Sequence, residues 1–161
     1  MWTNPRLKQA ALALPVVVLA VMVVRAEVII AAGRTYELLI EGYDPRDLLR
    51  GQYLRYRVKW NMVGSTGGGG DVCLVQGAET VNPAVRMGGY APGSDQCQAV
   101  IRAGAVENLN QYFIPEDMGP PLERAIRDRR ASLRVHVSGG GDVVIEDLLL
   151  DGRPWREVIS D

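Results

Sequence analysis

The chain has 161 residues, 47% of them hydrophobic, and a formal net charge of −1. That composition excludes a disordered chain, and the lack of a basic excess excludes nucleic acid as a partner. Once an apolar N-terminal segment is set aside, about 125 residues remain, enough for one folded domain of ordinary size and not for two.

Ala10 to Val24 is a run of fifteen uncharged, mostly apolar residues, about 22 Å long as a helix. The apolar character resumes at Val28–Ala32 after Arg25 and Glu27. Counted from Ala10 to Ala32 the helix reaches about 34 Å, enough to cross a hydrocarbon layer of about 30 Å if Arg25 and Glu27 lie near the far interface. Pro15 is tolerated in such a helix. Arg6 and Lys8 precede it with no acidic residue, so the positive-inside rule puts the N-terminus in the cytoplasm and everything after the helix outside. Residues 1–33 therefore read as a cytoplasmic N-terminus plus anchor, and 34–161 as the folded domain. A cleaved signal peptide is the competing reading, although no small-x-small site directly follows Val24. A buried core helix is the third.

"TYELLIE" (35–41) alternates, with Tyr36, Leu38 and Ile40 on one side and Thr35, Glu37 and Glu41 on the other, which predicts a strand. In "GYDPRDLLRG" (42–51) Asp44-Pro45 opens a turn and Gly51 can close it with a positive φ. "QYLRYRVKW" (52–60) alternates without a break: Leu54, Tyr56, Val58 and Trp60 form an apolar face, and Tyr53, Arg55, Arg57 and Lys59 the other. "GSTGGGGD" (64–71) is a flexible turn and no phosphate cradle, because the Lys-Ser/Thr ending of a Walker loop is missing. Short strands are predicted at "DVCLVQ", "PAVRM" and "AVIRAGAV".

Cys73 and Cys97 flank a stretch rich in Gly, Pro and Asn. In an oxidising compartment a disulfide closing it is worth on the order of 3 kcal/mol; two separate buried thiols are the alternative. A zinc site lacks ligands, since His136 is the only histidine. No metal or other cofactor is expected.

"NLNQYFIPEDMGPPLERAIRDRR" reads as a strand ending at Ile114, a Pro-Gly turn and a helix starting at Pro120 or Pro121, with Leu122, Ala125 and Ile126 as its apolar stripe. "ASLRVHV", "SGGGD" and "VVIEDLLL" make an antiparallel hairpin with Leu133, Val135 and Val137 buried. His136 falls on the opposite face with Arg134, where it is expected to be solvated. The fold class is thus α+β: a transmembrane helix, then one mostly antiparallel β domain with a single short helix near 120–130.

The charges of 42–60 have two readings. As scaffold, strand 35–41 pairs antiparallel with 53–60, so that Glu37 and Glu41 face Arg55, Arg57 and Lys59 in cross-strand pairs worth a few tenths to about 1 kcal/mol each; Asp44 and Asp47 then cap backbone donors while Arg46 and Arg50 tie down the turn. As function, Arg46, Arg50, Arg55, Arg57 and Lys59 form a docking surface for anionic lipid or for an acidic loop of a membrane partner, each cation near an anionic surface contributing about 1 kcal/mol. Enzyme readings fail on inventory. One histidine excludes His-pair chemistry, the serines have no adjacent base, and carboxylates in turns are mostly caps. The alternative that keeps a chemical role is a small envelope hydrolase or ligand-binding domain using Asp44, Asp47 and the arginines.

"DPRDLLRGQYLRYRV" resembles the bacterial GDYXXLXY family, whose members pair an N-terminal membrane helix with "DPRDL-x-RGDY" and a strand. Asp44, Pro45, Arg46, Asp47, Leu48, Arg50, Gly51 and Tyr53 match it as they stand. "YFIPED" (112–117), the helix after it and the closing hairpin with "LLLDG" extend the likeness. Gln52 stands where the family has Asp, Tyr56 where it has Leu and Val58 where it has Tyr; the last two keep the apolar face of the strand. The resemblance implies a membrane-anchored envelope protein with no catalytic residues to carry over; members are similar in architecture to accessory proteins often found alongside polytopic membrane proteins, which points to such a partner. The expected location is the bacterial inner membrane, single-pass, with a periplasmic domain. The candidate interaction residues are Asp44, Arg46, Asp47, Arg50, Tyr53, Arg55, Arg57 and Lys59.

Overall fold

A computed structural model describes residues 5–42, 53–66, 70–115 and 118–160. The elements in chain order are α1 (Pro5–Ala32), β1 (Arg34–Gly42), β2 (Tyr53–Val58), β3 (Asn61–Thr66), β4 (Asp71–Val75), β5 (Ala84–Gly88), β6 (Cys97–Ile101), α2 (Ala103–Asn108), β7 (Gln111–Phe113), α3 (Gly119–Asp128), β8 (Ala131–Val137), β9 (Val143–Leu150), β10 (Arg153–Pro154) and α4 (Trp155–Ser160).

The 28 residues of α1 make a helix about 42 Å long, and its apolar side chains from Ala11 to Val24 are exposed, with no part of the domain covering them. The helix is long and apolar enough to cross a membrane.

The strands form two sheets, a six-stranded one in the order β10-β9-β8-β1-β2-β7 and a four-stranded one in the order β3-β5-β4-β6. Every pairing is antiparallel except β3 with β5. The centre of the larger sheet is where two alternating patterns meet in register: Tyr36 lies opposite Val135 and Leu38 opposite Leu133, all four buried. A one-residue slip would turn every one of these side chains outward. Strand β9 solves a related problem. Val143 and Ile145 face Val137 and Val135, while Leu148 and Leu150 face Leu133 and Ala131, a change of parity absorbed by the extra residue Glu146 at a bulge. The bulge lets both halves of β9 turn apolar residues to the core.

The core runs from these strands through Val72, Leu74, Val85 and Ile101 of the smaller sheet to Leu122 of α3 and Trp155 of α4. The larger sheet curls. Strands β7 and β9 are separated by three others in the sheet order, yet the Tyr112 hydroxyl donates to Asp147 Oδ1 at 3.0 Å and accepts from Trp155 Nε1 at 3.3 Å.

Helix α3 stands where the proline pair predicts it, but it is one of three short helices among the described residues of the domain, not a single one. The expected strand "AVIRAGAV" ends at Ile101 and turns into α2. The cause is long-range, because Asp71 Oδ1 accepts the Ala103 N–H at 2.9 Å, giving the helix start a carboxylate from β4.

Candidate functional site

In β2 the sequence alternation becomes a physical division. Leu54 and Tyr56 are buried and Val58 half-buried, whereas Arg55, Arg57 and Lys59 are exposed. Arg57 lies opposite Glu41 on β1, while Arg55 lies opposite Gln111 and Tyr53 opposite Phe113 on β7. The Lys59 N–H donates to the Leu39 carbonyl at 2.8 Å, fixing the end of the strand. Phe113, 73% exposed, extends this outer face with an aromatic ring. Three cations, one facing carboxylate and an exposed ring therefore share a surface whose reverse side is core.

Glu37 lies on the same side of β1 as Glu41, but it is not opposite a cation of β2. The β1–β2 register spans only Ile40, Glu41 and Gly42, so Glu37 lies beyond the paired stretch. Its carboxylate instead accepts the Ser132 hydroxyl at 2.7 Å, opposite Arg134 on β8, and its backbone bonds Thr80 and Asn82. Asp44, Arg46, Asp47 and Arg50 lie outside the described residues. The strands flanking that segment end at Gly42 and Tyr53. Nine residues of β1 put Gly42 about 27 Å along the strand from Arg34, where the domain joins α1.

Cys73 and Cys97 form a disulfide across the adjacent strands β4 and β6, with Cα atoms 5.3 Å apart. The bond closes the Gly- and Pro-containing segment between them and packs with Val100 and Tyr90 as a small cluster apart from the main core.

His136 is not solvated. It is 8% exposed, with Nε2 2.9 Å from Glu146 Oε2 and Nδ1 3.4 Å from Thr35 Oγ1. The bulge on β9 presents Glu146 to it, and the corner at Gly33 covers it: a Cβ on Gly33 would sit 3.3 Å from that of His136. Neither arrangement is visible in the alternation of β8. Burial pushes the Tyr56 hydroxyl's pKa far above its ordinary value, with the nearby Tyr112 phenol adding to the effect. Among the described residues the hydroxyls of Tyr36 and Tyr56 are buried without a hydrogen-bond partner, and no cluster of His, Cys, Asp or Glu is placed to hold a metal ion.

The feature least visible in the sequence is at the other end of the domain. Asp142, in the β8–β9 turn, pairs with Arg25 of α1 at 2.9 Å and with Arg102. The Arg25 guanidinium first, then that of Arg102, holds the Asp142 carboxyl below its usual range. Arg25 and Asp142 are 117 residues apart, beyond the reach of any local pattern.

With the geometry established, a family model describing the GDYXXLXY protein matches residues 15–148. The chain belongs to the GDYXXLXY family. No curated protein and no solved structure matches it. The motif behind the family's name falls largely on β2, and the strand explains its spacing. Tyr56, at the motif's Leu position, is buried, and Val58, at its final Tyr position, is half-buried on the same side. Of the motif's variable positions, Leu54 is buried on that same side, and Arg55 and Arg57 are exposed on the other.

Proposed function

We propose that this GDYXXLXY protein is a membrane-anchored accessory subunit of the bacterial cell envelope. Its helix α1 is held in the inner membrane with the N-terminus in the cytoplasm, and its periplasmic domain docks an acidic segment of a polytopic membrane partner through the outer face of β2. The observation that carries this reading is the separation of charge from core on one strand. Arg55, Arg57 and Lys59 are exposed while Leu54 and Tyr56 behind them anchor the strand, so the cations serve a surface and not the interior. A strand face with three cations and one directly facing carboxylate is complementary to an acidic segment. The distance of about 27 Å between the Gly42 end of β1 and the membrane-side corner favours a protein segment over lipid headgroups.

The test is a photo-cross-linking residue at Arg55 in the full-length chain within its native membranes. One discrete adduct with a membrane protein is expected, and Arg57→Glu with Lys59→Glu should abolish it. An adduct that survives both reversals, or none at all, would rule out docking through β2.

A further inference from the structure

The last two turns of α1 differ from the rest of the helix. Residues 11–25 are exposed throughout, whereas Ala26, Ile29, Ile30 and Gly33 are half-buried, a stripe at positions i, i+3, i+4 and i+7 that faces β8 and β9. Gly33 is needed at the corner, since a Cβ there would lie 2.3 Å from the Ile29 carbonyl oxygen and 3.2 Å from that of Val137. Alongside these turns runs the β8–β9 connection. Asp142 binds Arg25 and Arg102, the Ser138 hydroxyl accepts the Asp142 N–H at 3.0 Å, and the Arg102 N–H donates to the Gly141 carbonyl at 3.0 Å. Arg34 reaches the Gln98 carbonyl at 2.9 Å.

The β8–β9 turn therefore sits beside α1 at the level of Arg25, about 10 Å down the helix from Ala32. If hydrocarbon extended to Ala32, it would surround an irregular turn with exposed Gly139 and Gly140, together with Arg25, Glu27, Arg102 and Asp142. Lipid-exposed irregular backbone does not occur at that depth, and the charges would add several kcal/mol of cost.

We infer that the lipid–water boundary lies at Arg25, and that the β8–β9 turn with Arg25, Arg34 and Arg102 is a docking surface seated on the phospholipid headgroup layer. This rests on the reading of α1 as a membrane anchor. Two guanidinium groups pair with the one carboxylate of Asp142, and their Arg25 and Arg102 side chains remain 68% and 50% exposed, while Arg34, exposed as well, adds a third cation to the surface. Each planar fork has donors left over for lipid phosphate. The membrane-crossing part becomes Gln9–Val24, about 24 Å long, with Arg6 and Lys8 at its other end. Ala26–Ala32 becomes a rigid neck of the domain and not part of the span.

Single-cysteine variants of the full-length chain test this in phosphatidylcholine–phosphatidylglycerol vesicles, because the native cysteines are bonded and leave no free thiol. Val21→Cys and Val28→Cys replace exposed side chains, Gly139→Cys enters open space, and Arg129→Cys marks the opposite end of β8. A membrane-impermeant maleimide should label Val28→Cys nearly as fast as Arg129→Cys, and Val21→Cys at least about tenfold more slowly. A fluorophore at Gly139→Cys should be quenched strongly by headgroup-nitroxide lipid and one at Arg129→Cys hardly at all. Protection of Val28→Cys equal to that of Val21→Cys would overturn the boundary, and equal quenching at 139 and 129 would overturn the docking surface. Rapid labelling of Val21→Cys would overturn the inference differently, by removing the anchor on which it rests.

Discussion

Breaking the Cys73–Cys97 bond should cost a calculable share of the domain's stability. The bridged residues are 24 apart, and closing a loop of that size removes about 12 cal/mol/K from the unfolded chain, or about 3.5 kcal/mol at 25 °C. Because β4 and β6 pair side by side, with Val75 opposite Cys97 and Cys73 opposite Val100, the ladder holds the same geometry when the bond is opened. The effect therefore falls on the unfolded state, which gains the freedom of a segment containing Gly77, Pro83, Pro92 and Gly93. For a domain of about 125 residues that corresponds to a fall in Tm of about 10–15 °C. Thermal melts of the full-length protein in mild detergent, followed by circular dichroism with and without reductant, read it directly. The Cys73→Ser, Cys97→Ser double variant should melt with the reduced protein. A shift below about 3 °C would refute the loop-closure reasoning.

Three further outcomes follow from particular side chains. Gly33→Ala should destabilise the domain by about 1–3 kcal/mol, because the new methyl meets backbone oxygens on two sides; an unchanged denaturation midpoint would show that the corner can move. Tyr56→Phe removes a buried hydroxyl without a described partner, so the midpoint should stay level or rise by up to about 1 kcal/mol, whereas a clear loss would reveal a partner for that hydroxyl. Asp142 has its carboxyl pKa lowered in the folded chain, so the ion pairs contribute fully above the ordinary carboxylate range and lose that contribution as pH falls through the lowered value. The stability difference between wild type and Asp142→Asn should be constant from about pH 8 to 5 and shrink below about pH 4; a difference that persists at pH 2 would contradict the electrostatic origin.

How much of this could be read from the residues depends on how far apart the deciding groups lie. Strands β1, β2 and β8 announce themselves by alternation, because one face of each meets the core, and Tyr36, Leu38, Leu54, Leu133 and Val135 are buried as that pattern requires. Helix α3 is marked by its proline pair and by the Leu122 stripe. Helix α2 was hidden because its start depends on Asp71, 32 residues away. The burial of His136 depends on the bulge at Glu146 and on the corner at Gly33, neither of which leaves a periodic trace. Glu37 shares the face of the β2 cations without meeting one, because antiparallel strands need not pair along their whole length; on that edge of β1 the backbone of Glu37 bonds Thr80 and Asn82, and β2 pairs only from Ile40 onward. Of the candidate interaction residues, Arg55, Arg57 and Lys59 were legible as an outward stripe, since the face opposite them is unambiguously apolar.

The most direct measurement is native mass spectrometry of the full-length protein extracted from its own membranes in mild detergent, beside the Arg55→Glu, Arg57→Glu, Lys59→Glu variant. Docking through β2 requires a stoichiometric membrane partner with the wild type and its loss from a variant that still melts cooperatively, with stability lowered by no more than about 1 kcal/mol by the carboxylate that Arg57→Glu sets opposite Glu41, since the three substitutions lie on the exposed side of the strand. A partner retained by the variant, or a lone protein in both samples, would contradict it.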